Sequence, residues 1–166
     1  MLAAVQEETG VGFLEIETDD EARRRARSLG CEIYRHETWG RCLTSVFLSK
    51  VVPKLTTPVH HEPPQGNFTI GGYDEHDSRL AECFATYING QLICSGSTLL
   101  NDPFEYRERI SAAQGRAEDG EAWGKKDHEE FAVVFELGMP PAAVMRAAIG
   151  RLVLQFVDHR AEERAA

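Results

Sequence analysis

The residues best suited to chemistry lie around a long polar stretch in the middle of the chain. His60, His61 and Glu62 stand at its start, and the run DEHD at 74–77 stands near its end. Imidazole and carboxylate groups together suit zinc or iron. No fixed spacing joins the two groups as it does in the common metal motifs, so a solvated polar loop is favoured over a metal site.

The cysteines are a second set of candidate nucleophiles and ligands, and the chain has four: Cys31, Cys42, Cys83 and Cys94. No pair has the CxxC spacing of a zinc or redox site. Cys94 could act with a histidine as nucleophile and base, but no local motif supports that pairing. We expect four reduced, mostly buried thiols in an intracellular, reducing compartment, either the cytoplasm or an organelle such as the mitochondrion.

Arg107 and Arg109 are candidate anion-binding residues on a predicted helix. The ordinary alternative is an ion pair one helical turn apart, between Glu105 and Arg109. The glycines at 71, 72 and 138 are not followed by the lysine of a phosphate-binding loop. From the residues alone, no catalytic constellation emerges.

Composition restricts the classes of function. The 166 residues are one domain's worth of chain, and the apolar fraction of 42% and charged fraction of 27% are ordinary for a soluble globular protein. The net charge of −9 argues against a broad nucleic-acid-binding face, although the arginines at 23–25 could form a local basic patch. No apolar run approaches the ~20 residues of a membrane helix, and the acidic N-terminus is unlike a secretory signal or transit peptide.

Two helices are predicted in the first third of the chain. Thr18 and Glu21 form a capping box that starts the first helix, and Gly30 is suited to end it. The second helix is predicted from Thr38 to Val52, before Pro53. Its buried face has helical spacing and comprises Trp39, Cys42, Leu43, Val46, Phe47 and Val51. The short segment 12–16 has the character of a strand.

A β-hairpin is the clearest element of the chain. The turn signal Asn89-Gly90 separates strands predicted at 80–88 and 91–99. A regular ladder across this turn gives three pairs: Tyr87 with Leu92, Ala85 with Cys94, and Cys83 with Gly96. Side-chain alternation then places these six residues on one face of the sheet.

Helices are predicted to follow the hairpin. Asp102 caps the first of them, with Pro103 and Glu105 in its first turn. Asp127 opens the next at a capping-box variant, and Gly138 ends it. For the tail from residue 142, propensity favours one long helix whose buried face comprises Ile149, Leu152, Val153, Phe156 and Val157. The whole pattern predicts an α+β protein, an antiparallel sheet with a central hairpin at about 80–99 flanked by helices.

The order of these elements resembles the C-terminal core of class II lysyl-tRNA synthetases. The stretch FATYINGQLICSGSTLLNDPFEYRER at 84–109 is similar to the family's strand–turn–strand segment and the Asn-Asp-Pro helix start behind it. The segments VPKLTTPVHHEP at 52–63, DHEEFAVVFELGMPP at 127–141 and IGRLVLQF at 149–156 follow the family's order, the last as a remnant of motif 3. The resemblance implies a partial synthetase fold.

With that resemblance, we predict a single domain over residues 1–166. A mainly helical N-terminal part occupies 1–52, a synthetase-like core occupies 53–158, and a tail occupies 159–166. The chain shows no counterpart of motif 1, motif 2 or the anticodon-binding domain.

The resemblance also implies where the family's functional groups would lie. The two glutamates that bind magnesium for ATP fall at Ala85 and Leu92, whose side chains cannot coordinate a hard cation. The asparagine and glutamate that hold the substrate lysine fall at Ser95 and Leu99. Without that carboxylate, a buried ammonium has no counter-charge. Of the nucleotide contacts, only Arg151 remains.

Residues that specify the scaffold persist, whereas those that carry charge to a substrate are replaced. The resemblance therefore predicts a pseudoenzyme without catalytic residues, metal or cofactor, acting as a structural or interaction subunit. An uncovered sheet edge or apolar surface would need a partner, so we expect self-association or binding to other protein subunits.

Two alternatives remain open. The chain could be an amino-acid-binding or nucleotide-binding module, or a remodelled enzyme, with polar groups from Arg146, Arg151 and His60 or His61. It could also be an RNA-binding accessory protein, which the net charge of −9 disfavours.

Overall fold

A computed structural model describes residues 1–55, 59–61, 71–72, 77, 79–114 and 125–163. The helices are α1 (Leu2–Thr9), α2 (Asp19–Ser28), α3 (Trp39–Val46), α4 (Pro103–Gln114), α5 (Lys125–Glu136) and α6 (Ile149–Glu163). The strands are β1 (Val59–His61), β2 (Cys83–Ile88), β3 (Gln91–Thr98) and β4 (Ala143–Ala147). They form one antiparallel sheet in the order β1-β2-β3-β4, so the architecture is α+β, as predicted.

Helix α2 begins and ends where its capping residues predict. The Thr18 hydroxyl accepts a hydrogen bond from the Glu21 backbone N–H at 3.3 Å. Gly30 follows the helix with a φ of 76°, the left-handed conformation that favours glycine. The predicted helix 18–29 is therefore confirmed.

The second predicted helix is confirmed, with an irregular end. The Thr38 hydroxyl caps α3, and the chain continues through a π-helical turn, Phe47–Val51, and a 3-10 turn, Val52–Lys54. All six residues of the predicted face are buried: Trp39, Cys42, Leu43, Val46, Phe47 and Val51. With Val5 and Phe13 they form the main apolar cluster, which also covers one face of the hairpin.

The predicted strand at 12–16 is wrong, because Phe13–Glu15 is a 3-10 turn. Its backbone hydrogen bonds are local, from Glu15 N to the Gly12 carbonyl and from Ile16 N to the Phe13 carbonyl. Phe13 is 1% exposed, and its carbonyl accepts a hydrogen bond from Trp39 Nε1 at 3.0 Å. Contact with α3 therefore decides the conformation of this segment.

The hairpin turns at Asn89 and Gly90 as predicted, with positive φ angles of 48° and 73°. Its register is only partly as predicted. Tyr87 pairs with Leu92, but Thr86 pairs with Cys94, so Ile93 is an extra residue in a β-bulge. Beyond the bulge the ladder is shifted by one residue. The two other predicted pairs are therefore wrong: Ala85 pairs with Ser95 rather than Cys94, and Cys83 pairs with Ser97 rather than Gly96.

Helices α4 and α5 form a second apolar cluster: Leu100, Tyr106, Ile110, Ala132 and Phe135. The Asp102 carboxylate caps α4 through the Phe104 and Glu105 backbone N–H groups, at 2.8 and 3.1 Å, as predicted. Gly138 ends α5 with a φ of 96°, also as predicted. The prediction that Asp127 caps α5 is wrong, because the helix begins two residues earlier at Lys125.

The tail is a strand followed by a helix, so the single long helix predicted from residue 142 is wrong. Residues 143–147 pair with β3, and tertiary pairing overrides their helix propensity. The predicted buried face of α6 is also largely wrong, because Ile149 is 70% exposed and Phe156 is 68% exposed. None of the described helices, α6 included, is long and apolar enough to cross a membrane.

Candidate functional site

The bulge at Ile93 brings the four sequence-predicted site positions to one face of the hairpin. Residues directly opposite each other in an antiparallel ladder share a face. Ala85 lies opposite Ser95, and Leu92 lies opposite Tyr87, which shares the face of Ala85 by alternation. Leu99, two residues beyond Ser97 and bridged to Gly71, continues the same alternation. A regular hairpin would have placed Ser95 and Leu99 on the face opposite Leu92.

This face is covered by apolar side chains. Ala85 is 8% exposed and Tyr87 is 9% exposed, and both belong to the main apolar cluster. The Phe47 ring meets the Tyr87 ring edge-on, with centroids 5.9 Å apart. Leu92 is partly buried and packs against the same cluster. Burial of this kind stabilises the hairpin against α3 and the π-helical turn that follows it.

The chemistry of these side chains does not fit a magnesium ion or its nucleotide. Hard cations require oxygen ligands, preferably carboxylates, and Ala85 and Leu92 offer only carbon. Ser95 offers one neutral hydroxyl, and Leu99 again offers only carbon. Among the described residues, no group of three or more His, Cys, Asp and Glu side chains could hold a metal ion.

Arg151, the remaining nucleotide-contact position of the predicted site, bonds to the hairpin backbone. Its Nη1 donates to the Leu92 carbonyl at 3.0 Å. Nearby, the Asn89 amide donates to Gln155 Oε1 at 2.7 Å. Helix α6 is therefore held to the hairpin by two hydrogen bonds. Arg151 Nη1, a donor that could bind a phosphate, donates instead to the Leu92 carbonyl.

Two of the other polar positions considered from the sequence lie in the same cross-strand row as Ala85 and Ser95, with His61 of β1 opposite Ala85 and Arg146 of β4 opposite Ser95. Arg146 is exposed on β4 and lies opposite Ser95 in the ladder. The side chains of His60 and His61, together with Glu62 and residues 74–76, lie outside the described part of the structure. Asp77, at the end of the acidic run, forms an ion pair with Arg79 at 2.8 Å.

The arginines of α4 form the ion pairs expected of an ordinary helix. Arg109 pairs with Glu105 one turn away, and its guanidinium also donates to the Gly71 carbonyl. Arg107 pairs with Glu136 of α5 at 2.5 Å. The predicted pair between Glu105 and Arg109 is therefore confirmed, whereas Arg107 pairs with the neighbouring helix. Arg109 also ties the stretch around Gly71 to α4.

A polar contact that sequence reasoning missed closes the end of the sheet. The Thr98 hydroxyl donates to a Glu82 carboxylate oxygen at 2.7 Å. Gly72 lies beside this pair, because its N–H donates to the Thr98 carbonyl and its carbonyl accepts from the Glu82 N–H. From the sequence, only the side-chain alternation along β2 and β3 could have suggested this contact. The bulge shifts that alternation by one residue.

The cysteines are placed largely as predicted. Cys31, Cys42 and Cys83 are buried, and Cys94 is partly exposed. Burial, reinforced by the nearby Glu37 charge, raises the pKa of the Cys42 thiol to about 11. Because the thiolate is the nucleophilic form, Cys42 is unsuited to nucleophilic catalysis at neutral pH.

Comparison with known proteins relates the chain to one class of enzyme. No family model matches it. Its sequence is 37% identical to the lysine–tRNA ligase of Sinorhizobium medicae and 36% identical to that of Rhizobium meliloti, each over 95% of this chain. The lysine–tRNA ligase of Staphylococcus saprophyticus is 32% identical over 95% of the chain. The chain spans about a third, 32%, of the length of each relative, so the predicted resemblance is confirmed for that segment.

Proposed function

We propose that this chain is a synthetase-like domain without aminoacylation chemistry and that it acts as a structural or interaction subunit. One observation carries the proposal. The positions that correspond by resemblance to the metal-binding glutamates, Ala85 and Leu92, hold apolar side chains that pack into the main apolar cluster. The part of the face around Ala85, Tyr87 and Leu92 thus packs in the hydrophobic core.

The energetic cost of dehydrating a charged ligand supports this proposal. An isolated charge in an apolar environment carries a large desolvation penalty unless a partner or metal compensates it. A magnesium ion at Ala85 and Leu92 would be dehydrated without gaining any ligand there. A lysine ammonium near Ser95 and Leu99 would likewise be dehydrated without a counter-charge.

Residues that match the resembled family at turns and helix ends support reuse of the scaffold. Asn89 and Gly90 adopt the positive φ angles of a tight hairpin turn, Asp102 caps α4, and Gly138 ends α5 in a left-handed conformation. Each of these residues specifies local backbone geometry and none carries charge to a substrate. The scaffold signals therefore persist beside the uncharged side chains of Ala85, Leu92 and Leu99.

Exposed apolar surface supports the interaction role. All five residues of β4 are exposed, and Met145 is 70% exposed. Ile149 and Phe156 on the adjacent helix are also more than two-thirds exposed, at 70% and 68%. Large exposed apolar side chains are common at surfaces that bind another protein.

Titration with the substrates of the relatives tests the proposal. Isothermal titration calorimetry with ATP, magnesium and lysine, singly and together, should detect no binding, and lysine-dependent exchange of pyrophosphate into ATP should be absent. The lysine–tRNA ligase of a matched relative provides the positive control under the same conditions. Saturable binding of ATP or lysine would contradict the proposal and favour a small-molecule-binding module instead.

A further inference from the structure

The face of the sheet that carries Ala85 also carries polar side chains where β3 pairs with β4. Ser95 lies opposite Arg146 in the ladder, and Ser97 lies opposite Val144. We name these last four residues the serine–arginine patch and propose that it binds a small aliphatic monocarboxylate. The inference goes beyond the proposed function, because such an acid is neither ATP nor lysine, the ligands whose binding would contradict that function.

The pairing register brings the four side chains of the patch close together. Opposite residues in an antiparallel ladder share a face, and their Cβ atoms lie about 4.5–5.5 Å apart. Residues two positions apart along one strand also share a face and lie about 7 Å apart. The patch is therefore a four-sided group with a hydroxyl at two corners, a guanidinium at the third and an isopropyl group at the fourth.

In the described part of the chain, the polar side chains of the patch have no internal partners. Neither serine hydroxyl forms a hydrogen bond there, and the Arg146 guanidinium forms no ion pair. Arg146 is exposed, and Ser95 and Ser97 are partly exposed. By contrast, Arg151 donates to the Leu92 carbonyl. The donors of the patch can therefore reach an external acceptor.

The charge of the patch selects an anion. The described strand residues that share this face include no Asp or Glu, so no acid of the sheet balances Arg146. Glu82 instead accepts a hydrogen bond from Thr98 on the opposite face. A guanidinium forms two parallel hydrogen bonds with one carboxylate and balances its single charge. A monocarboxylate therefore fits better than a phosphate group, which carries more than one negative charge near neutral pH.

Apolar neighbours favour an aliphatic chain on this acid. Val144 is 38% exposed on the same face. Leu99 continues the face beyond Ser97, is partly buried, and pairs with Ala142, two residues before Val144. A short branched chain would cover both apolar side chains and remove their surface from water. The serine hydroxyls can donate to the carboxylate oxygens at the other end of the ligand.

The same charge disfavours lysine. Near neutral pH lysine carries an ammonium group beside its carboxylate, and Arg146 would repel this group. By resemblance, Ser95 and Leu99 stand where an asparagine and a glutamate hold the substrate lysine. With Arg146 in the cross-strand row of Ser95, the charge of this face is opposite to the charge that attracts an ammonium. The patch should therefore prefer an acid without an amino group.

Titration of the isotope-labelled whole chain with isovalerate, followed by amide NMR shifts, tests the inference. We expect saturable shifts centred on β3 and β4, with a Kd on the order of 1 mM, because the ligand is small and makes one ion pair. Isovaleramide has the same shape without the charge and should bind at least about tenfold more weakly. Added salt should weaken the binding of isovalerate, because salt screens an exposed ion pair.

Variants of the patch test which groups bind. Arg146→Met keeps an unbranched side chain without the charge and should raise the Kd at least about tenfold. Arg146→Lys keeps the charge without the planar fork, and Ser95→Ala removes one hydroxyl, so each should raise the Kd about threefold. Arg35→Met is the matched control, because it removes an exposed arginine outside the patch, and it should leave the Kd unchanged. Circular dichroism verifies that each variant is folded.

Absence of saturation at about ten times the expected Kd would overturn the inference. So would an affinity that Arg146→Met leaves unchanged, or shifts confined to residues outside β3 and β4. The proposed function is decided separately by the titrations with ATP and lysine. A chain that binds none of the three ligands therefore contradicts only the carboxylate site, whereas binding of ATP or lysine contradicts the proposed function.

Discussion

Gly96 on β3 lies against the ring of Phe84 on β2, with no space between them for a side chain. A Cβ atom on Gly96 would come within 2.7 Å of Phe84 Cε1 and 2.9 Å of the Val144 carbonyl oxygen. The second neighbour is backbone on β4 and cannot rotate away. This contact follows from the bulge, which places Gly96 directly opposite Phe84 in the ladder.

Gly96→Ala should therefore destabilise the protein. The added methyl forces either the Phe84 ring or the β3–β4 ladder to move, and overpacking of this kind costs about 1–3 kcal/mol. The free energy of unfolding, measured from urea denaturation, should fall by that amount. Gly150→Ala is the matched control, because a Cβ there meets nothing within 4 Å. It should leave stability unchanged or raise it by less than about 1 kcal/mol.

Ala85→Glu should lower the free energy of unfolding by about 3 kcal/mol, since Ala85 is 8% exposed and packs among apolar residues, where a carboxylate loses its hydration. Leu92→Glu should cost less, because Leu92 is only partly buried. Urea denaturation measures both changes, and Ala85→Ser controls for the change of polarity without charge.

Glutamates introduced at both positions should also fail to produce nucleotide binding. The double variant with glutamate at both positions is expected to show no ATP-dependent heat in calorimetry with magnesium present. The proposed role of this face would be contradicted if the double variant were as stable as the original chain and bound magnesium–ATP.

In the native protein, exposed cysteines should be alkylated before buried ones. Cys42 is 0% exposed and its pKa is raised to about 11, so it carries almost no reactive thiolate. Cys94 is partly exposed. Iodoacetamide at about pH 8, near the ordinary thiol pKa, should therefore modify Cys94 first and Cys42 only in denaturant. Peptide mass spectrometry identifies the modified residues, and early modification of Cys42 would contradict the packing of α3.

Local signals predicted the parts of the fold that depend on a few neighbouring residues. Thr18, Asp102 and Gly138 mark helix ends because capping requires only an oxygen acceptor, or a residue that tolerates positive φ, within one turn. Asn89 and Gly90 mark the turn for the same reason. The buried face of α3 was predictable because a single strong periodicity governs it.

Features set by distant contacts could not be predicted in this way. The bulge at Ile93 has no local signal, yet it shifts the ladder by one residue and changes which side chains share a face. Residues 143–147 favour a helix by propensity, but pairing with β3 makes them a strand.

The four candidate positions share one face of the hairpin, although the regular register did not predict this arrangement. The resemblance predicted Ala85, Leu92, Ser95 and Leu99 as the positions of the family's functional groups, which stays a prediction. Regular alternation placed Ser95 and Leu99 on the wrong face, because the bulge between them and Leu92 was not foreseen. The packing of Ala85 and Tyr87 in the main apolar cluster is a tertiary contact that no strand pattern encodes.

The ion pair between Asp77 and Arg79 should contribute a pH-dependent part of the stability. Hydrogen bonds from Arg79 lower the pKa of the Asp77 carboxyl below its ordinary value. The carboxylate is therefore favoured in the folded state, and its contribution is fully present above the unfolded pKa of about 3.9. It is lost as the pH falls through the folded pKa. Both side chains are partly exposed, so the contribution is expected to be small.

Asp77→Asn should consequently lower the urea midpoint near neutral pH, and the difference from the original chain should narrow as the pH falls below about 4. Arg79 keeps other contacts in this variant, because it donates to the Leu14 and Ile16 carbonyls and lies over the Trp39 ring at 4.9 Å. The control is an Arg79→Met background, in which Asp77→Asn should no longer change the pH dependence. A midpoint difference that stays constant from neutral to acidic pH would show that the carboxylate charge does not stabilise the fold.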